Sequence, residues 1–437
     1  MRSLVLLLHF GLLVGFSTAT VVGQSTTANS GSIYSGLGLG ERMDFSSSQA
    51  AMMGGAGSAV RSTVYANLGN PALWSDQQLV RLSFGAQVQG LEAEDAGGQT
   101  ARLTASNITA LQISIPLFQD RLGAAVALRP YSRTNYNVLR TGQIFETQLP
   151  RDTINYRTTL AGDGGLHEAQ LGFGWRLSRG VSVGVAGRAV FGVIENRQWT
   201  EYLPPNQFAE TRVTGRTRMY GFGATAGAVA TTTSLLTDGD QLTFSTALTL
   251  PTNLSTRRVQ TVGLSLDVDT LQTTVRGSTS IPLSVISGVA YSPNARWLVA
   301  ADVQYEPWSS FDSDFSFAGY SPGDAENSFA DRLRVGGGVQ LTPAGISRNA
   351  GLLARTAYRL GAYYDTGYVE VAGQSVATTA LTGGFSIPGI LPGSRFDLGV
   401  EVGSRGSTDP GLVRDLFIKG SAVINFGERW FIRRQLG

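Results

Sequence analysis

The chain has no cysteine, a single lysine at position 419, and only two histidines. Without cysteine there is no disulfide scaffold and no thiol nucleophile, and nothing can mispair in an oxidising periplasm. One histidine, His9, lies in the N-terminal apolar run, so only His167 remains for general-base work. With neither a second histidine nor a cysteine, the composition argues against an enzyme and against any histidine- or cysteine-based metal site. Charged residues make up 15% of the 437, well under the roughly 25% of a soluble domain. A formal charge of +2 gives no reason to expect a nucleic-acid partner. Long apolar runs are also missing: Leu4 to Phe16 is shorter than the ~20 residues a spanning helix needs. That excludes a helical inner-membrane protein. The glycines of Ile33 to Gly40 follow no strand and open no long helix, so they are not a dinucleotide fingerprint, and no cofactor is implied.

What is present begins with Met1-Arg2, the apolar run, and small residues up to Gly23, the layout of a secretory signal peptide over 1–23. Residues 24–76 then form a non-strand unit. Gln24 to Ser32 reads as a flexible lead-in. Phe45 to Trp74 reads as a compact hatch, in which Ser46 to Ser48 offer helix caps, Met52 and Met53 supply apolar bulk, and Gly54-Gly55 end the helix.

Over 77–431 the pattern turns to period two, as in Val181 to Phe191 and Arg332 to Leu341, with a tail at 432–437. Such alternation fits a soluble sandwich or a membrane barrel equally. About fourteen segments, from 78–91 to 412–428, give the even count of bacterial barrels, and 149–178 reads as a loop plus one strand. Short turns such as Leu177 to Gly180 and Pro392 to Ser394 alternate with long polar loops, the asymmetry of periplasmic and extracellular ends. Trp175, Tyr291, Trp297, Tyr305, Trp308, Tyr364 and Trp430 stand near segment ends, as interfacial girdles would. The expected fold is all-β: a transmembrane antiparallel barrel of about fourteen strands in a Gram-negative-type outer membrane, with the hatch inside its lumen.

Three stretches carry a family resemblance: the Ser-rich Ala-Met-Met-Gly-Gly-Ala-Gly approach to Asn70-Pro71-Ala72, the segment from Ile281 to Phe311, and Arg355 to Asp365. Together they resemble the FadL family of outer-membrane transporters for long-chain fatty acids and other hydrophobic compounds. The resemblance implies a plugged monomeric barrel amid outer-membrane lipid, taking up an apolar ligand and releasing it sideways through the wall. Phe45, Met52 and Met53 are candidate ligand surface, with Gly54, Gly55, Asn70, Pro71 and Ala72 as gating residues. A carboxylate headgroup would want an arginine fork, and Arg129, Arg188, Arg332, Arg334, Arg355 and Arg359 are the candidates. Asp302, Glu306, Asp397 and Glu401 are expected to hold most of them. A structural or secretion-associated barrel, or a passive porin, is the alternative.

Overall fold

The computed structural model describes residues 31–429, apart from 146–152, 205–207, 265–266, 325–327, 348, 372, 390 and 392. The signal peptide, most of the lead-in, Trp430 and the C-terminal tail therefore lie outside the described residues. A two-residue strand, β1 (Glu41–Arg42), and a short helix, α1 (Ser48–Ala51), precede the wall. The wall opens with β2 (Val80–Asp95), β3 (Thr100–Phe118), β4 (Leu122–Phe145), β5 (Thr153–Arg176), β6 (Val181–Tyr202) and β7 (Thr211–Thr233). It continues with β8 (Gln241–Thr249), β9 (Thr252–Leu264), β10 (Asp267–Ile281), β11 (Ser284–Asn294) and β12 (Trp297–Glu306). After the short β13 (Asp312–Ser313) come β14 (Arg332–Leu341), helix α2 (Leu352–Arg355) and β15 (Ala357–Asp365). A small hairpin of β16 (Glu370–Val371) and β17 (Gln374–Ser375) leads to β18 (Thr378–Pro388), β19 (Arg395–Arg405) and β20 (Val413–Glu428).

Neighbours pair antiparallel all the way round, and β2 closes on β20 from Val80↔Glu428 to Asp95↔Val413. β8 and β9 both pair with β7, and Leu250-Pro251 separates them; they are one wall position. Likewise Pro282 divides β10 from β11. The two breaks are level, since Ile281 faces Thr252 and Ser284 faces Thr249. Proline has no N–H for the ladder, so a strand crossing at that height is interrupted. Counted this way, the barrel has fourteen strands.

The alternation resolves in favour of the membrane barrel. On β6, Ser182, Ala186, Arg188 and Val190 are buried while Val185 and Phe191 point outward and are exposed. A soluble sandwich would bury the apolar set instead. Trp175, Trp297, Tyr305 and Tyr364 are outward and exposed, consistent with a girdle. Trp308 is not. It is fully buried, stacked on Tyr368 at 4.2 Å and packed with Phe311 and Phe329, so it belongs to an aromatic cluster inside the wall. The strand heights are uneven. β4, β5, β6 and β7 have 22 to 24 residues, about twice what hydrocarbon requires, whereas β12, β14 and β15 have 9 or 10. One half of the barrel therefore stands well clear of the bilayer.

Candidate functional site

The hatch is inside the wall, because it touches strands from opposite sides at once. The Ser47 hydroxyl caps α1 by accepting from the Ala50 N–H at 3.1 Å. Gly54 and Gly55 reverse the chain with φ of 68° and 87°, a region open mainly to glycine. Gly54 N–H then donates to Thr382 on β18 at 2.8 Å, and the N–H groups of Gly57 and Ser58 both donate to Asp302 on β12 at 2.8 Å. Ser48 and Tyr65 donate to Asp397 on β19 at 2.5 and 2.9 Å. Met53 is fully buried against Gly338 and Gly361, and Met52 against Gly384 and Gly399. Both methionines fill wall glycines, and Met52 also borders the smallest of the spaces described below. Phe45 stays half-buried and borders two of the spaces described below.

Asn70 caps the 3₁₀ turn Pro71–Asp76, its Oδ1 accepting from Ala72 N–H and its Nδ2 donating to Ser58 carbonyl, both at 3.1 Å. This turn rests on Gly174, Gly184 and Gly227 of β5, β6 and β7. Asn70-Pro71-Ala72 thus seats the floor of the hatch.

Higher up, the wall has a seam. β3 and β4 pair only where Leu111–Phe118 meets Leu122–Leu128. Thr109 is the unpaired residue of a bulge against β2, and Pro130 follows the last pairs on β4; bulges bend strands and proline ends ladders. Beyond this point β4 offers its free edge to β1, with Glu41↔Arg133 and Arg42↔Ser132 directly opposite. Met43 N–H adds a bond to Tyr131 carbonyl at 3.1 Å, and Gly31 N–H one to Asn135 carbonyl at 2.8 Å. Tyr368 receives Leu39 N–H at 3.1 Å and donates to Gly40 carbonyl at 2.7 Å. Gly31 and Ser32, expected to be part of a flexible lead-in, are therefore the start of a strap, Gly31 to Met43, that takes the place β3 leaves.

Charge fixes the strap. Glu41 pairs with Arg405 at 2.6 Å and lies 3.6 Å from Arg133. Burial works against its charge, but Arg405, Lys419 and Arg133 prevail and hold its carboxyl down to about 2. Arg42 pairs with Glu306 at 3.1 Å. Asp44 pairs with Arg332 and, at 2.9 Å, with Arg334; burial again opposes the charge, and Arg332, Arg42 and Arg334 keep the carboxyl well below the usual range.

The candidate arginines are mostly engaged. Arg129 and Arg188 share Glu168, and Arg129 also donates to Phe45 carbonyl at 2.6 Å. Arg332 adds Glu306 at 3.1 Å and Asp365 at 2.5 Å. Arg359 has neutral partners, donating to Gln340 at 2.7 Å and to Ser386. Arg355 departs from expectation: it ends α2, before β15 begins, and is not on the lumenal face shared by Arg359, Tyr363 and Asp365. The helix takes the residues that period two had assigned to the strand.

Two cavities flank the strap. One of about 160 Å³ is bordered by Met43, Phe45, Ala51, Tyr363, Glu401 and Arg405. Another of about 90 Å³ meets Arg129, Arg188, Ile281, Pro282, Ile286 and Trp308, beside the double proline break. Arg42, Met43, Asp44, Gly55 and Arg334 border both and form the partition. A third space, about 30 Å³, joins Phe45 and Met52 to Thr109 at the foot of the seam. Sequence reasoning missed Glu41, Arg42 and Asp44; the only signal was three charges within four residues of a Gly- and Ser-rich stretch.

One family model, described as BamG, matches residues 8–437. No curated protein matches the sequence. Among solved structures, the chain is similar to the CymD monoaromatic hydrocarbon channel, at 15% identity and a TM-score of 0.57 over 89% of this chain and 99% of that one. A Pseudomonas aeruginosa FadL homologue gives 12%, 0.59, 87% and 98%, and the Ralstonia pickettii toluene transporter TbuX gives 15%, 0.54, 89% and 99%. At these identities the likeness is one of fold, and it spans nearly the whole length of each partner.

Proposed function

The chain belongs to the BamG family, and from that premise we propose that it is a plugged outer-membrane barrel for uptake of hydrophobic molecules, long-chain fatty acids or similar hydrocarbons, with release sideways at the β3–β4 seam. It acts as a monomer amid outer-membrane lipid and is not an enzyme. The observation that carries this reading is the line of spaces from the double proline break, past the Asp44 partition, to Thr109 at the foot of the seam. Support comes from the shared fold with a monoaromatic hydrocarbon channel, a toluene transporter and a FadL homologue.

The volumes bear on ligand size. A dry cavity of ~150 Å³ accommodates benzene, so the 160 Å³ space takes one small ring or a short piece of chain. A sixteen-carbon chain, worth roughly 10 kcal/mol of transfer at ~0.8 per methylene, fits only if the partition moves and the two larger cavities join. The larger cavity's border carries Arg42, Arg332, Arg334, Arg405 and Lys419 against Glu41, Asp44, Asp365 and Glu401, five cations to four anions. That balance favours an amphiphile with an anionic head over a bare hydrocarbon.

The same ion pairs favour a second reading, a sealed structural or secretion-associated barrel, because a lashed hatch with charged cavity walls is also what a closed barrel needs. Uptake of a labelled long-chain fatty acid into cells with and without the protein, joined to mass spectrometry of co-purified lipid, separates the two. Protein-dependent uptake supports the carrier; equal uptake with no bound amphiphile supports the sealed barrel.

A further inference from the structure

Outside the lumen, three arginines stand in one row. Arg218 on β7 is directly opposite Arg257 on β9, and Arg257 is directly opposite Arg276 on β10. Thr217 and Met219 beside Arg218, Thr256 beside Arg257, and Thr279 on the opposite face of β10 from Arg276 are buried inward, so the three guanidinium groups point out of the wall, and all three residues are exposed. Directly opposed side chains on adjacent strands have Cβ atoms roughly 5 Å apart, and like charges so placed repel. Two further arginines on the outer face of β7 are compensated: Arg216 pairs with Glu195 at 2.7 Å and Arg212 with Glu210 at 2.5 Å. Among the described residues no carboxylate forms an ion pair with any of the three. Asp314, beside β10, accepts from the N–H and hydroxyl of Ser278 instead.

Position identifies the missing anion. Tyr220 and Phe222, two and four residues from Arg218 on the same face, are exposed at the upper end of the lipid-facing band. The row follows immediately, at the end of the wall remote from the short 118–122, 176–181 and 294–297 connections. Short connections mark the periplasmic side, so the row meets the headgroup layer of the outer leaflet. Three adjacent guanidinium forks with no acid of their own match phosphate monoesters or diesters held at that depth.

We propose that Arg218, Arg257 and Arg276 form a binding site for a phosphorylated glycolipid of the outer leaflet, a lipid A-type molecule whose phosphates bridge the row while its acyl chains lie along Tyr220 and Phe222. The site is independent of the transport reading, since it lies on the opposite face of the wall. The test uses the full-length protein in phosphatidylcholine nanodiscs doped with diphosphoryl lipid A or its dephosphorylated form, followed by native mass spectrometry. The parent retains the phosphorylated lipid about tenfold better, and the Arg218→Gln/Arg257→Gln/Arg276→Gln variant retains both alike. Arg216→Gln, whose partner is Glu195, leaves the preference intact. Heat-modifiable mobility verifies that each variant is folded. Thermal unfolding gives a second readout of opposite sign: in neutral detergent the triple variant is at least as stable as the parent, because repulsion is removed, while phosphorylated lipid stabilises only the parent. Equal retention of the two lipids by the parent, undiminished preference in the triple variant, or a less stable triple variant in neutral detergent would each overturn the site.

Discussion

Glu41 of the strap stands directly opposite Arg133 of β4, across the edge that β3 leaves free beyond the Leu111↔Leu128 pair. An antiparallel pair in register places its Cα atoms roughly 5 Å apart, within range of a disulfide. The chain has no other cysteine, so a Glu41→Cys/Arg133→Cys variant can form only that bond. If release needs the strap to leave the seam, uptake falls to background in the oxidised variant and returns on adding reductant. Uptake unchanged by oxidation would mean that the seam is not the way out.

Acid should leave the strap in place until unusually low pH. Glu41 is held at about 2, below the ~4.3 of a free glutamate, and Asp44 shifts the same way. A depressed carboxylate contributes its full stabilisation above the unfolded value and loses it as pH falls through the folded one. Pepsin, active throughout this range, reports the change by cleaving near Leu37 and Leu39. Cleavage is expected to be absent at about pH 4 and to appear as pH approaches 2. A strap already cut at about pH 5 would show that these ion pairs do not secure it.

Asp44 is the acid shared by Arg332 and Arg334 in the partition. Asp44→Asn leaves Arg332 with Glu306 and Asp365 but takes from Arg334 its closest carboxylate. Breaking a buried pair costs about 3 kcal/mol or more, here borne by the hatch and not by the strand ladder. We expect the variant to keep its heat-modifiable barrel band while the hatch unfolds at lower denaturant and small-solute conductance in planar bilayers rises. Parental conductance would place the barrier elsewhere.

The period-two pattern carried most of the barrel because each strand must sort its side chains between lipid and lumen. The hatch reversal was legible for a similar local reason: Gly54-Gly55 follows Met52-Met53 where a helix must stop. The strap was not, because Gly31 to Met43 has neither periodicity nor strong propensity, and its order comes from an edge some ninety residues later. Trp308 was misplaced because proximity to a strand end does not say whether a ring turns toward headgroups or toward Phe311 and Tyr368. Arg355 was misplaced because a four-residue helix preserves enough alternation to pass for strand. The candidate arginines were found as lumenal types, but their shared acids, Glu168 and Asp44, are fixed only by tertiary register.

The floor of the hatch gives the last test. Asn70 both caps its own turn and ties it to Ser58, while Gly338 lets Met53 approach the wall so closely that an added Cβ would come within 2.6 Å of its Cα. Asn70→Ala removes a cap worth about 1 kcal/mol and strands the Ser58 carbonyl. Gly338→Ala instead pushes the Met52–Gly55 reversal inward, against the partition at Gly55. Asn70→Ala should leave strand pairing intact, because its side chain is outside the ladder, whereas the Cβ of Gly338→Ala also comes within 2.8 Å of the Leu360 carbonyl and strains the β14–β15 ladder at that point. Asn70→Ala is expected to reduce uptake by loosening the hatch as a whole, seen as faster hydrogen exchange across residues 57–76. Gly338→Ala should confine its faster exchange to residues 50–56 and the β14–β15 pairs beside Gly338. If both variants loosened the same amides, the floor and the reversal would be one cooperative unit, and Asn70 could not be acting on the floor alone.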